Sequence, residues 1–159
     1  MIISQCLFLS TLIEKVLLNI KRGEEMNINP KDVKKQGLVK FAKNTEIQQV
    51  GIDLTIAEDV WLKHCEHKAV RLNEIVSVPV SMFALMFSRS TFNRQGILIT
   101  STVFEPGWRG IPMVSIYNFS GVDISIAKDT RIAQIIFFKA DVASVYNGQY
   151  QNQFLDEKR

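Results

Sequence analysis

From Val50 to Phe138, apolar residues recur at every second position in short runs, and turn-forming residues break the runs at close intervals. This periodicity constrains the fold more than any other feature. Side chains of an extended strand alternate between two faces, whereas a helical face repeats every three to four residues. Ile52, Leu54 and Ile56 alternate with Asp53 and Thr55. The runs Ile75–Val78, Met82–Phe87, Ile97–Val103, Met113–Tyr117, Val122–Ile126 and Ile132–Phe138 continue the series, rich in residues that favour strands. Pro106-Gly107, Asn118 to Gly121 and Lys128-Asp129 supply the turns. Many short strands with little helix between them predict a mostly β protein, a jelly roll or distorted β-barrel. Pro112 suits a strand start or a sheet edge. Ahead of the strands, Asn29-Pro30-Lys31-Asp32-Val33 has helix-start chemistry and predicts one short N-terminal helix ending near Gly37.

The 159 residues are enough for one domain with a single core. Residues 26–159 are expected to form it. A net charge of +3, with scattered basic residues, argues against nucleic-acid binding, which needs a clustered basic footprint. Cys6 and Cys65 imply no disulfide framework, so a reducing cytoplasm is the expected setting. Residues 1–25 read differently from the rest. They lack a basic start and a small-residue cleavage site and carry Glu14 and Lys15, which fits neither a signal peptide nor a membrane span. They are expected to be a non-native or accessory extension, with Met26 as the alternative start. No membrane association is expected.

Three polar landmarks interrupt the β pattern. Ser88-Arg89-Ser90 directly follows an apolar run; a guanidinium fork beside hydroxyls and loop amides suits phosphate oxygens. Its plain alternative is an ordinary polar turn. Glu105-Pro106-Gly107-Trp108-Arg109-Gly110 places a carboxylate three residues before a large flat aromatic, a pairing suited to a sugar and a water. Here the alternative is a surface turn with Trp108 as a core anchor. Arg131-Ile132-Ala133-Gln134 joins a cation to an amide at the start of a strand. Asp53, on the face opposite Ile52 and Leu54, could pair with a cation or simply face solvent. His64-Cys65-Glu66-His67 holds metal-capable residue types, but neighbours on an extended chain point to opposite sides. It is expected to be a polar loop.

In this order the landmarks resemble the motifs of the trimeric dUTPase and dCTP deaminase superfamily, over roughly residues 47 to 153. The resemblance implies a distorted jelly roll of the dUTPase type and a homotrimer with sites between subunits. The substrate it implies is a deoxynucleoside triphosphate, with Mg2+ as cofactor. Asp53 would lie beside the metal and hold it through water. Ser88, Arg89 and Ser90 would grip phosphates, with Arg94 as a second arginine of the deaminase branch. Glu105 would hold the attacking water and the deoxyribose, Trp108 would pack against the sugar, and Arg131 and Gln134 would contact the reacting groups. Tyr150 and Gln153 resemble tail residues of the deaminase branch that contact base and phosphate.

Three departures matter. Glu105 stands where the family usually has Asp. The extra methylene moves the carboxylate by roughly an ångström, a shift that can cost about 100-fold in rate. Ser115 stands where deaminases have a catalytic glutamate, and an unactivated hydroxyl is neither a useful acid nor base. The tail 146–153 lacks the glycine-rich, arginine-bearing arm of many dUTPases. The expected activity is therefore dUTP hydrolysis to dUMP and pyrophosphate. A dCTP deaminase, or a nucleotide-binding regulator with little turnover, is the alternative.

Overall fold

A computed structural model describes residues 27–100, 102–141 and 144–155; the extension 1–25 lies outside them. The expected helix is α1 (Pro30–Lys35). Asn29 caps it, its side-chain oxygen accepting from the Lys31 N–H at 2.9 Å, and Pro30 occupies the first turn, where no N–H is needed. Gly37, at φ +69°, turns the chain away after the last turn.

Among the described residues thirteen short strands follow: β1 (Val39–Lys40), β2 (Glu46–Ile47), β3 (Ile52–Thr55), β4 (Val60–Leu62), β5 (His67–Arg71), β6 (Ile75–Ser77) and β7 (Met82–Ser88) in the first half, with β8 (Ile97–Ile99), β9 (Thr102–Phe104), β10 (Arg109–Gly110), β11 (Met113–Asn118), β12 (Ile124–Ile126) and β13 (Arg131–Lys139) in the second. A one-turn helix, α2 (Ser90–Asn93), follows β7. The largest sheet runs β2-β3-β13-β7-β9, and smaller sheets run β5-β11-β8, β1-β6-β10 and β12-β4. The named strand pairings are antiparallel throughout. The architecture is mostly β, as expected.

The core lies between the sheets, with Ile52, Leu54, Met86, Ile116, Ile135 and Phe137 essentially sealed from solvent. Pro112 immediately precedes β11, the strand-start placement expected of it. One expectation needs correcting. The run 97–103 is two strands rather than one, since β8 pairs with β11 and β9 with β7. Thr100 ends the first pairing by donating its N–H to the Ser115 carbonyl, while its hydroxyl accepts the Ser115 N–H. The chain then changes sheets.

The register of the large sheet sets up the chemistry. Asp53 on β3 lies opposite both Glu46 on β2 and Gln134 on β13, and Gln134 in turn lies opposite Phe87 on β7. Paired residues across a sheet project from the same face, so this row gathers side chains from four strands. β3 packs so closely on β13 that a Cβ on Gly51 would meet the Ile135 carbonyl oxygen at 2.5 Å. A bulge at Ile132 breaks the register, since Arg131 opposes Thr55 while Ala133 opposes Leu54.

Glu74, just before β6, is a fully buried carboxyl. Burial pushes it above the usual carboxylate range, against hydrogen bonds from Thr45 and Thr55 that pull it down. The folded protein therefore keeps this proton to higher pH than the unfolded chain does. Stability is undiminished below the unfolded value and falls as pH rises through the folded one. Glu74→Gln is expected to remove this slope, so the wild-type melting temperature should fall relative to the variant's as pH is raised through that window. Parallel melting profiles would show that Glu74 titrates alike in both states.

Candidate active site

The first cluster forms around Asp53, which is 1% exposed. Its Oδ1 accepts from Gln134 Nε2 at 3.3 Å, and its Oδ2 accepts from Gln48 Nε2 at 3.0 Å. Arg89 Nε lies 3.2 Å from Oδ2, and Arg131 Nη1 lies 3.8 Å from it. Arg131 also pairs with Glu46. Two of the three landmarks, 88–90 and 131–134, thus meet at one carboxylate. Burial raises the Asp53 carboxyl above its ordinary range, opposed by the Arg89 charge and by the amides of Gln134 and Gln48. Asp53 is accordingly no solvent-facing strand residue. It is a buried acid matched with a cation, as such groups must be.

Arg89 immediately precedes α2, and its N–H donates to the Ile132 carbonyl at 3.1 Å, which ties the 88–90 turn to β13. Its guanidinium donates to the Arg131 carbonyl at 3.3 Å. A cavity of about 350 Å³ opens here, lined among others by Gln48, Asp53, Ser88, Arg89, Ser90 and Gln134. Gln48 had no signal in the sequence, because an amide in a polar stretch is unremarkable until the fold places it beside a buried acid. Arg94 follows α2, exposed, and is not part of this lining.

The second cluster is the hairpin joining β9 and β10. Glu105-Pro106-Gly107-Trp108 is a tight turn closed by the Trp108 N–H donating to the Glu105 carbonyl at 3.0 Å. Proline presets its second position and Gly107, at φ +85°, takes the third. Val78 pins the turn from below, accepting from the Gly107 N–H and donating to the Trp108 carbonyl. Glu105 is therefore an exposed carboxylate on a fixed backbone. Trp108 is buried, packed 4.8 Å from Phe104, with its indole N–H donating to the Tyr150 carbonyl at 3.1 Å. It is a core anchor that still lines a cavity of about 430 Å³ shared with Glu105, Met113, Tyr146, Tyr150 and Gln153.

The tail docks on this hairpin. Tyr146 N–H donates to the Pro106 carbonyl, Gln151 Nε2 to the Gly107 carbonyl, and Asn152 N–H to the Arg109 carbonyl, each at 2.8 Å. The Ile111 N–H donates to the Gln153 carbonyl at 3.0 Å, and Phe154 lies beneath the Arg71 guanidinium at 3.6 Å. The two clusters share no lining residue. Ser115, half-buried on β11, lies opposite Ala69 of β5. The 64–66 segment is a polar loop, as expected, with His67 opening β5. Among the described residues no group of three or more His, Cys, Asp or Glu gathers in a way that could hold a metal.

The family model described as dUTPase matches residues 39–157. The chain belongs to the dUTPase family. Among relatives, this dUTPase-family chain is 32% identical over 138 residues to the probable deoxyuridine 5′-triphosphate nucleotidohydrolase of Methanococcoides burtonii, covering 82% of the chain and 79% of that protein. Among solved structures, it is similar to a 2′-deoxycytidine 5′-triphosphate deaminase from Agrobacterium tumefaciens, with a TM-score of 0.65 and 14% identity over 72% of this chain and 48% of that one. It is also similar to the native EIAV dUTPase, with a TM-score of 0.55 and 20% identity over 71% of this chain and 92% of that one. Those two likenesses concern the dUTPase-type fold.

Proposed function

We propose that this protein is a dUTP diphosphatase that hydrolyses dUTP to dUMP and pyrophosphate. The observation carrying the reading is Glu105, an exposed carboxylate on a turn pinned by Val78, sharing its cavity with Trp108, Tyr150 and Gln153. Water attacks the α-phosphorus, the bond from that phosphorus to the bridging oxygen breaks, and pyrophosphate leaves. Glu105 orients the water and takes its proton. Arg89, Arg131, Ser88 and Ser90 bind phosphate oxygens, with Arg94 reaching them from the end of α2, and Gln134 helps align water and phosphate. Trp108 presents its edge to the deoxyribose, and Tyr150 and Gln153 close over the nucleotide. Catalysis of this kind rests on positioning and charge neutralisation.

Mg2+ fits the donor set in one manner only. Both oxygens of Asp53 are already hydrogen-bonded and Glu46 is held by Arg131, so Asp53 would reach the ion through water rather than directly. That suits an ion which keeps several waters and is held chiefly by substrate phosphates. When bound, it neutralises phosphate charge.

We read the assembly as a homotrimer, as the family resemblance implies, and the separate cavities of the phosphate and hairpin clusters on one chain support sites completed between chains. A closed cyclic assembly brings one chain's cluster to its neighbour's. The sheet β5-β11-β8 offers a surface for it, with Leu98 exposed on β8, Phe119 exposed just past β11 and Tyr117 stacked on His67 at 5.0 Å. No helix among the described residues is long and apolar enough to cross a membrane. The free, exposed Cys65 suits a reducing cytoplasm.

Pyrophosphate release measured across the deoxynucleoside triphosphates, with ammonia followed in parallel, tests this function. Pyrophosphate from dUTP without ammonia from dCTP is expected. Tight nucleotide binding without either product identifies a regulator instead. Ser115→Glu restores a carboxylate at the deaminase position and is expected to yield only traces of ammonia from dCTP, since a proton shuttle also needs supporting groups. Ammonia from the wild-type protein would overturn the reading.

A further inference from the structure

Glu74 touches neither cavity of the candidate site, yet three donors converge on its carboxylate. The Thr55 N–H donates to Oε1 at 3.2 Å and Oε2 at 3.1 Å, the Thr55 hydroxyl donates to Oε1 at 2.8 Å, and the Thr45 hydroxyl also donates to Oε1. Thr45 Oγ1 in turn accepts the Ala42 N–H at 2.9 Å, which fixes the 42–45 loop leading directly into Glu46. Thr55 is the residue opposite Arg131 at the β13 bulge. Bulges of this kind bend a strand and re-aim the side chain beside them. The neighbouring Asn73 Nδ2 donates to Thr55 Oγ1 at 3.0 Å, the Ile56 carbonyl at 2.8 Å and Asp129 Oδ1 at 3.0 Å. Arg131 is thus held on three sides. Its strand partner Thr55, the incoming turn at Asp129 and the loop carrying its counter-ion Glu46 all lead back to Asn73-Glu74.

The residue type also needs explaining. For packing alone, a buried carboxylate facing only neutral donors is an expensive choice, and an apolar side chain of similar volume would serve. A carboxylate accepts on both oxygens and donates on neither, whereas an amide accepts on one atom and turns an N–H2 toward the rest. All three donors reach Oε1, and the Thr55 N–H is shared with Oε2, so an amide would turn an N–H2 toward an N–H that the acid now accepts on both oxygens.

We infer that Glu74 is a positioning residue for phosphate binding, fixing through Thr55 and Thr45 the bulge and the loop that aim Arg131. The inference rests on the reading of Arg131 as a phosphate ligand. Its test is a double-mutant cycle read in the KM and kcat for dUTP, using wild type, Glu74→Gln, Arg131→Ala and the double variant. Glu74→Gln is expected to raise KM by roughly 5- to 20-fold with kcat within about twofold of wild type, and to add little once Arg131 is gone. An equal rise in both backgrounds would reveal general loosening and overturn the inference, as would an unchanged KM in Glu74→Gln. If Arg131→Ala alone leaves KM unaltered, Arg131 holds no phosphate and the inference falls with that premise. Thr45→Val removes one donor while leaving the acid in place, and should show the same coupling with Arg131 at smaller size. It decides the matter if the glutamine variant does not fold.

Discussion

Glu105→Gln is expected to lower the turnover of dUTP by about 100-fold or more, the scale of a lost general base, while nucleotide affinity stays close to wild type. The amide preserves side-chain size, and the turn that carries it is held by backbone bonds to Val78 rather than by the carboxylate. The charge that orients and deprotonates water is what disappears. Glu105→Asp keeps the charge and restores the family's usual residue at this position, so it should retain more activity than the amide. Calorimetric titration with a non-hydrolysable dUTP analogue, set beside pyrophosphate release, separates the two effects. Near-wild-type turnover in the glutamine variant would remove Glu105 from catalysis and make Asp53 the next carboxylate to consider.

Arg89→Ala should act on affinity and on stability together. A charge-assisted hydrogen bond to phosphate contributes about 1.5–3 kcal/mol, so KM for dUTP is expected to rise by roughly 10- to 100-fold, more than kcat falls. The same guanidinium lies 3.2 Å from a carboxylate that is 1% exposed. Removing one partner of a buried pair costs about 3–5 kcal/mol. The lower end applies here, because Asp53 keeps Gln48, Gln134 and the more distant Arg131. Adding Asp53→Asn to Arg89→Ala should restore part of the lost stability without restoring affinity, since a neutral amide is cheaper to bury than an unmatched acid. Denaturant unfolding of the single and double variants checks this. If both unfold at the same midpoint, the ion pair does not carry the stability assigned to it.

The strands that build the site were legible where alternation was long enough to register. β11 alternates, while β7 and β13 are longer apolar runs bounded by polar residues, and each forms close to its expected bounds. Two-residue strands such as β1, β2 and β10 carry no periodicity. In β5 only Val70 is buried, so His67 to Arg71 gives no apolar signal. The break between β8 and β9 was hidden for another reason, since the Thr100-Ser101-Thr102 stretch between the apolar ends suits a strand and does not say where a chain leaves one sheet for another. The residue types of the phosphate cluster could be read, but the burial of Asp53 could not. It depends on β3 being covered on both faces, and alternation alone suggests one open face. Trp108 admitted two readings because the tail that caps it lies some forty residues on. Glu74 gave no signal at all. Beside Asn73 it reads as part of a turn, and only the convergence of Thr45 and Thr55 reveals it.

The contrasting settings of the two tryptophans have an optical consequence. Trp108 is sealed between Phe104 and the tail, whereas Trp61 is 57% exposed on β4 with Lys63 above its ring. An aqueous collisional quencher will silence Trp61 and leave the indole beside Glu105 as the remaining emitter. The residual fluorescence then follows the hairpin cavity alone, so nucleotide arrival and tail release can be watched in the unlabelled protein.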